Sequence, residues 1–206
     1  MKFIKYQDSI NKLPAEGRHI TATYDDRHIV VYQGFNKDIA SRALKNGCFT
    51  APFSFTRLSW IKPNFTWMMY RSEWGLQEEY ILAVYLKRSF FEKLLEKAVY
   101  TQFCPANYKN TRQWRAALKK SEVRIQWDPD HDPRGKSLAR RAIQLGLEGH
   151  TLKQYATRAI VKIEDMSDFV RSQRNFALCG HYGMLKVPEE RIYYPKSEKV
   201  KKYLQI

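Results

Sequence analysis

The chain has 206 residues, with 36 Lys and Arg against 21 Asp and Glu, a formal net charge of +15. Hydrophobic residues at 44% and aromatics at 14% exclude disorder as the main state, and 9 Gly and 8 Pro are too few for a collagen-like or low-complexity chain. Charged residues interrupt every apolar run short of the roughly 18 residues a bilayer crossing needs, so no membrane partner is expected.

Read from its start, Met1–Tyr6 lacks the apolar block of a secretory signal, which sets the expectation of a cytoplasmic protein, or a nuclear one in a eukaryote. Ile20–Tyr24 and Ile29–Phe35 are β-branched and aromatic runs around the turn Asp25–His28, and read as strands. A helix follows, with Asn36 or Asp38 as N-cap, Ile39, Ala43 and Leu44 on its inner side, and Gly47 as its stop. Phe53–Trp60 reads as a strand, and Pro63 as the first turn of a short helix through Trp67–Tyr70. Tyr80–Leu86 is a buried strand. Phe90–Tyr100 has helical spacing, Thr111–Ser121 is a helix, Val123–Trp127 a strand, and Leu138–Leu147 a helix with Leu138, Ala142 and Leu145 inside. The strand Ala159–Ile163, the helix Asp168–Leu178 capped by Ser167, and the strand Glu190–Tyr194 complete the alternation. No repeat or linker divides the chain, so residues 1–206 form one α+β domain, in which 100–150 is a basic insertion.

Cys48, Cys104 and Cys179 are odd in number and form no CxxC pair, so neither a disulfide framework nor a zinc knuckle is expected. The positive charge is concentrated. Between Lys109 and Arg141 stand ten basic and four acidic residues, and helical geometry sets Arg112, Arg115 and Lys119 on one exposed ridge, with Arg140 and Arg141 on another. Such a surface attracts polyanions, nucleic acid above all, although a basic chain can also simply be soluble. Trp127 could stack a nucleobase. The knot Asp128-Pro129-Asp130-His131-Asp132 could hold a divalent cation for a metal-dependent nuclease, or be an acidic turn pairing with nearby arginines; the second is expected, and no metal cofactor with it.

Two segments carry the residue types of a nucleotide site. Tyr32-Gln33-Gly34-Phe35 ends a strand with an amide and a glycine, whose backbone can lie against a planar ligand, or which a strand-to-helix turn simply requires. Ser59–Ser72 gathers aromatic rings and cations, with Trp60, Lys62, Tyr70 and Arg71 the site candidates and Trp67 and Met68 assigned to the core.

The segments Arg18–Asp25, Ile29–Gly34, Ser59–Ser72, Val123–Pro129 and Arg140–Leu147 resemble the family catalogued as domain of unknown function 4291. More distantly, the order of elements resembles the NAD-binding half of ADP-ribosyltransferases of the His-Tyr-Glu type. That resemblance implies NAD as a substrate. It sets Gln33 at the histidine, bonding a ribose hydroxyl of NAD, Gly34 against the nicotinamide amide, Trp60 at the tyrosine and Tyr70 as the second aromatic over the nicotinamide ring. Tyr32, Lys62, Arg71 and Arg18 join the NAD-contacting set, and Glu190, with Glu189 as its competitor, becomes the catalytic carboxylate. The function it implies is ADP-ribosyl transfer, for which the positive charge makes nucleic acid the expected acceptor; a non-catalytic nucleic-acid-binding module and the metal-dependent nuclease are the alternatives.

Overall fold

A computed structural model describes residues 1–206. The first half of the chain forms β1 (Phe3–Lys5), α1 (Tyr6–Ile10), β2 (Gly17–Arg18), β3 (Ile20–Ala22), β4 (His28–Phe35), α2 (Lys37–Asn46), β5 (Ser59–Ile61), α3 (Phe65–Ser72), β6 (Tyr80–Lys87), α4 (Arg88–Lys97) and β7 (Val99–Tyr100). The second half forms α5 (Thr111–Lys120), β8 (Val123–His131), β9 (Ser137–Leu147), α6 (Gly149–Gln154), β10 (Ile160–Asp165), α7 (Ser167–Leu178), β11 (Lys186–Pro188), β12 (Arg191–Tyr193) and α8 (Glu198–Leu204), with one π-helical turn between α6 and β10. The class is α+β, as expected.

Two sheets organise the molecule. An antiparallel sheet runs β10-β6-β4, and a mixed sheet runs β2-β9-β8-β7, with β5 also pairing β9. They meet at one antiparallel bridge, where Tyr32 N–H donates to Lys62 O at 2.7 Å and Lys62 N–H to Tyr32 O at 3.3 Å. Strands β4 and β6 are apolar on both faces because both are covered. Ile29, Val31, Leu82 and Val84 face a larger core shared with α2, α4, β8 and β9, whereas Val30, Tyr32, Ile81 and Ala83 face a smaller one shared with α3 and α7.

Local signals set most element ends. Asn36 caps α2 by accepting from Ile39 N–H at 3.1 Å, and Gly47, at φ +66°, ends it in the left-handed region. Asn64 caps α3 by accepting from Trp67 N–H at 2.6 Å, so Pro63 lies just outside that helix. Of the expected Phe53–Trp60 strand only Ser59 and Trp60 join a sheet, and that strand continues to Ile61. In α7, Ser167 is the first helical residue, and its hydroxyl accepts from Ile81 N–H at 3.1 Å rather than capping.

The segment expected as a helix over Leu138–Leu147 is strand β9, antiparallel to β8. On one face Val123, Ile125, Ile143, Leu145 and Leu147 enter the larger core. On the other, Asp128 accepts from Gln126 and Gln144, both at 2.7 Å, and Asp130 pairs with Arg140. Arg140 and Ala142 are buried on this second face while Ile143, Leu145 and Leu147 are buried on the first, so the period of two is hidden and an i, i+4, i+7 apolar spacing takes its place. The stretch 100–150 is therefore woven into the main sheet and its core rather than appended to them.

Candidate functional site

A cleft of about 430 Å³ opens beyond the bridge that joins the two sheets, lined among others by Gln33, Gly34, Arg57, Trp60, Lys62 and Glu78. Its position follows from the ladder pattern. Tyr32, paired in register with Ala83, sends its N–H and C=O to Lys62 and not to β6. Ile81, in register with Gly34, sends its own to Met166 N–H at 2.8 Å and Ser167 Oγ at 3.1 Å. Alternation along an antiparallel strand then points the N–H and C=O of Gly34 away from β6, along the edge that borders the cleft, where the ladder stops.

Gly34 is required there by close approach. A Cβ on it would lie 2.6 Å from Glu78 Cγ and 2.7 Å from Glu78 Cβ, so the acidic side chain lies directly on the glycine backbone. One carboxylate oxygen of Glu78, Oε2, is buried without a hydrogen-bond partner. Burial raises the Glu78 carboxyl above the usual range, while Lys62 and Arg71 act in the opposite sense. Lys62 is buried, and desolvation, with the Arg71 guanidinium second, lowers its amine to about 8. No ion pair in the molecule engages Arg57, Lys62 or Arg71. The cleft thus holds three cations outside any ion pair, a carboxylate with one oxygen lacking a hydrogen-bond partner, and an indole.

Trp60 packs over Gly146, whose Cβ would meet the indole at 3.2 Å. Gln33 holds it in place. The Gln33 amide donates to Ser59 Oγ and to Trp60 O, both at 3.0 Å, and accepts from the Tyr155 hydroxyl. Both of its donors are consumed inside the protein, so Gln33 fixes strand β5 and has no N–H left for the ribose hydroxyl that the resemblance would assign to it.

Of the residues singled out in the sequence, Gln33, Gly34, Trp60, Lys62 and Arg71 do converge on this cleft. The others lie elsewhere. Tyr32 is fully buried on the opposite face of β4. Glu190, 6% exposed, sits at the start of α3, where Oε1 accepts from Phe65 N–H at 2.6 Å. Burial pushes its carboxyl up to about 8, and the Phe65 N–H opposes that shift. It caps a helix and does not line the cleft. Glu189 is a half-buried partner of Lys2 and Lys12. Arg18 donates to Gln205 Oε1 at 2.7 Å, and its guanidinium lies over the rings of Tyr100 and Trp127, so Trp127 is covered as well.

Tyr70 lines a second, neighbouring cleft of about 700 Å³, and Arg71 and Glu78 line both. The basic set divides in the same way. Arg112, Arg115 and Lys119 are exposed on α5, a helix with no buried residue, and Arg141 is exposed on β9. Arg140 is 3% exposed and ion-paired with Asp130 at 2.6 Å, so it cannot reach a phosphate. Asp128, Asp130 and Asp132 turn to separate partners, the last accepting from Arg134 and Lys136 N–H groups at 2.9 and 2.8 Å. No three His, Cys, Asp or Glu side chains gather where a metal ion could be held, and no helix is long and apolar enough to cross a membrane.

Comparison with known proteins accords with the first resemblance. Residues 19–193 match the family model described as Domain of unknown function (DUF4291). The chain belongs to that family. No curated protein matches it. In this DUF4291 chain, Glu78 and Arg57 are the cleft residues that the sequence did not single out. Glu78 had a signal, since Gln77-Glu78-Glu79-Tyr80 leads directly into a buried strand, the same placement that drew attention to Glu190. Arg57 had none.

Proposed function

We propose that this DUF4291 chain transfers ADP-ribose from NAD, with Glu78 rather than Glu190 as the carboxylate that acts on the substrate. One observation carries the reading: an outward-facing glycine N–H and C=O, a buried carboxylate oxygen without a partner, and unpaired cations share one cleft. Along one edge a carboxamide presents a donor and an acceptor side by side, which match the C=O and N–H of Gly34. Lys62, Arg57 and Arg71 would neutralise a pyrophosphate, and the Trp60 indole would lie against a flat ring. Glu78, fixed against Gly34, would face the positive charge that develops as the glycosidic C–N bond breaks and its electron pair leaves with nicotinamide. The acceptor then forms the new bond to that carbon, and its proton passes to Glu78, whose raised basicity suits that step.

NAD labelled in its adenylate half tests this. Glu78→Gln should lower nicotinamide release by about 10²–10³-fold, as loss of a transition-state electrostatic partner does, and leave NAD quenching of tryptophan fluorescence in place. Glu190→Gln should still turn over. Full activity in Glu78→Gln, or no NAD consumption by the wild type, overturns the assignment.

The exposed ridge Arg112, Arg115 and Lys119, on a helix with no fully buried residue, favours a second reading, a nucleic-acid-binding module without catalysis. It predicts steeply salt-dependent binding with no nicotinamide release.

A further inference from the structure

We infer that the second cleft is the acceptor site of the proposed transferase, and that it takes a single-stranded nucleic acid with one base on Tyr70. This deepens the transferase reading and rests on it for the chemical step. The two clefts share Arg71 and Glu78, so the carboxylate that faces the breaking bond stands where they join. A nucleophile approaching that carbon from the side not filled by the donor enters through the second cleft.

The walls of this cleft define what it receives. Tyr70, 39% exposed, lies parallel to the His131 ring at 3.5 Å between centroids with 5° between planes, and Trp67 stacks with both rings at 5.2 and 5.3 Å. Burial lowers the His131 pKa, so the ring behind Tyr70 is a neutral platform. Tyr70 is thus held in position before any ligand arrives, and stacking on it costs little ordering of the side chain. Leu76 and Leu178, 60% and 45% exposed, extend the apolar wall.

Arg71 and Arg134 project into the same space and belong to no ion pair. Arg174 stands just behind, its guanidinium 3.4 Å from where a Cβ on Gly75 would be. A preset aromatic face beside unpaired guanidiniums, on a chain of charge +15, matches a strand of bases and phosphates. An extended peptide would find aromatic and cationic walls, but no unpaired strand edge is among the features of this cleft.

The experiment separates binding from turnover. Fluorescein-labelled 12-nucleotide single strands of DNA and RNA are titrated by polarisation against the wild type, Arg134→Ala and Leu76→Asp, all changes outside the first cleft and at exposed positions. Each variant should bind about tenfold more weakly, and Arg134→Ala should reduce the slope of log K against log salt by about 1. NAD hydrolysis without acceptor should stay at the wild-type rate in both, while labelling of the oligonucleotide falls in step with binding. Unchanged oligonucleotide affinity in both variants overturns the inference. So does label that goes to protein in a mixed pool and not to nucleic acid. Affinity lost in both variants together with no nicotinamide release from the wild type upholds the strand site and sinks only the transferase reading.

Discussion

Replacing Gly34 by alanine should change the stability of this protein with a sign that depends on residue 78. The backbone of Gly34 is not in the left-handed region, so alanine is conformationally permitted. In a strand that substitution ordinarily gains about 0.5–1 kcal/mol by restricting the unfolded chain. The new Cβ, however, would lie 2.6, 2.7 and 2.9 Å from Cγ, Cβ and Cδ of Glu78, against about 3.5–4.0 Å for relaxed carbon contact. Because the Cβ of Glu78 is among those atoms, a rotamer change alone gives no relief, and the segment leading into β6 has to move. Overpacking of this kind costs about 1–3 kcal/mol. The net loss is about 0.5–2 kcal/mol, or a few degrees in Tm for a domain of this size. In a Glu78→Gly background all three crowding atoms are gone, and Gly34→Ala should become stabilising by about 0.5–1 kcal/mol. Urea denaturation of the four proteins in this double-mutant cycle measures the coupling directly. Equal effects of Gly34→Ala in the two backgrounds, within about 0.3 kcal/mol, would refute the placement of Glu78 on Gly34 and the cleft built on it.

Glu190 makes stability pH-dependent: its folded pKa, about 8, exceeds that of an unfolded carboxyl, so its contribution is complete below about pH 4 and drains away as pH rises to about 8. Glu190→Gln should flatten the fall of the urea midpoint between pH 5 and 9, and slopes identical to wild type would show that the group is not buried as described. Arg140→Ala strands a buried Asp130 carboxylate and should cost about 3–5 kcal/mol in chemical denaturation without altering the salt slope of nucleic-acid binding. The triple change Arg112→Ala, Arg115→Ala and Lys119→Ala should do the reverse, leaving stability alone and reducing that slope by up to about 2.7 if all three touch phosphates. With the Lys62 amine lowered to about 8, calorimetric affinity for inorganic pyrophosphate should decline from pH 7 to 9 in the wild type and stay level in Lys62→Arg, whose guanidinium keeps its charge; parallel profiles would remove Lys62 from the anion site.

Elements bounded by local chemistry were legible in the sequence. The asparagine and glycine that bracket α2, the uninterrupted apolar run of β6 and the amphipathic α5 each carry their own start, stop or period. Strand β9 was not legible, because the residue that satisfies Arg140 lies on another strand and no periodicity announces it. The cleft was half legible for a related reason. Residue type pointed to Trp60, Lys62 and Arg71, which stand close together in the chain. That Glu78 lies against Gly34, that Glu190 turns inward to cap α3, and that Tyr70 leans on His131 toward a separate opening are long-range facts, fixed by how β4 pairs with β6, how β12 pairs with β3 and how α3 packs on β8.

The ion pair between Arg140 and Asp130 bears on how faithfully the β8–β9 hairpin assembles. Sliding β9 past β8 by a single residue exchanges the two faces of β9, and the Arg140 guanidinium would be driven toward the core side that Val123 and Ile125 face while Ile143 and Leu145 took its place in the polar layer. Such a misaligned hairpin forfeits both its oil and its charge compensation at once. The arginine that looks like a surface cation in the sequence therefore works as an alignment key, rejecting wrong registers while the chain refolds.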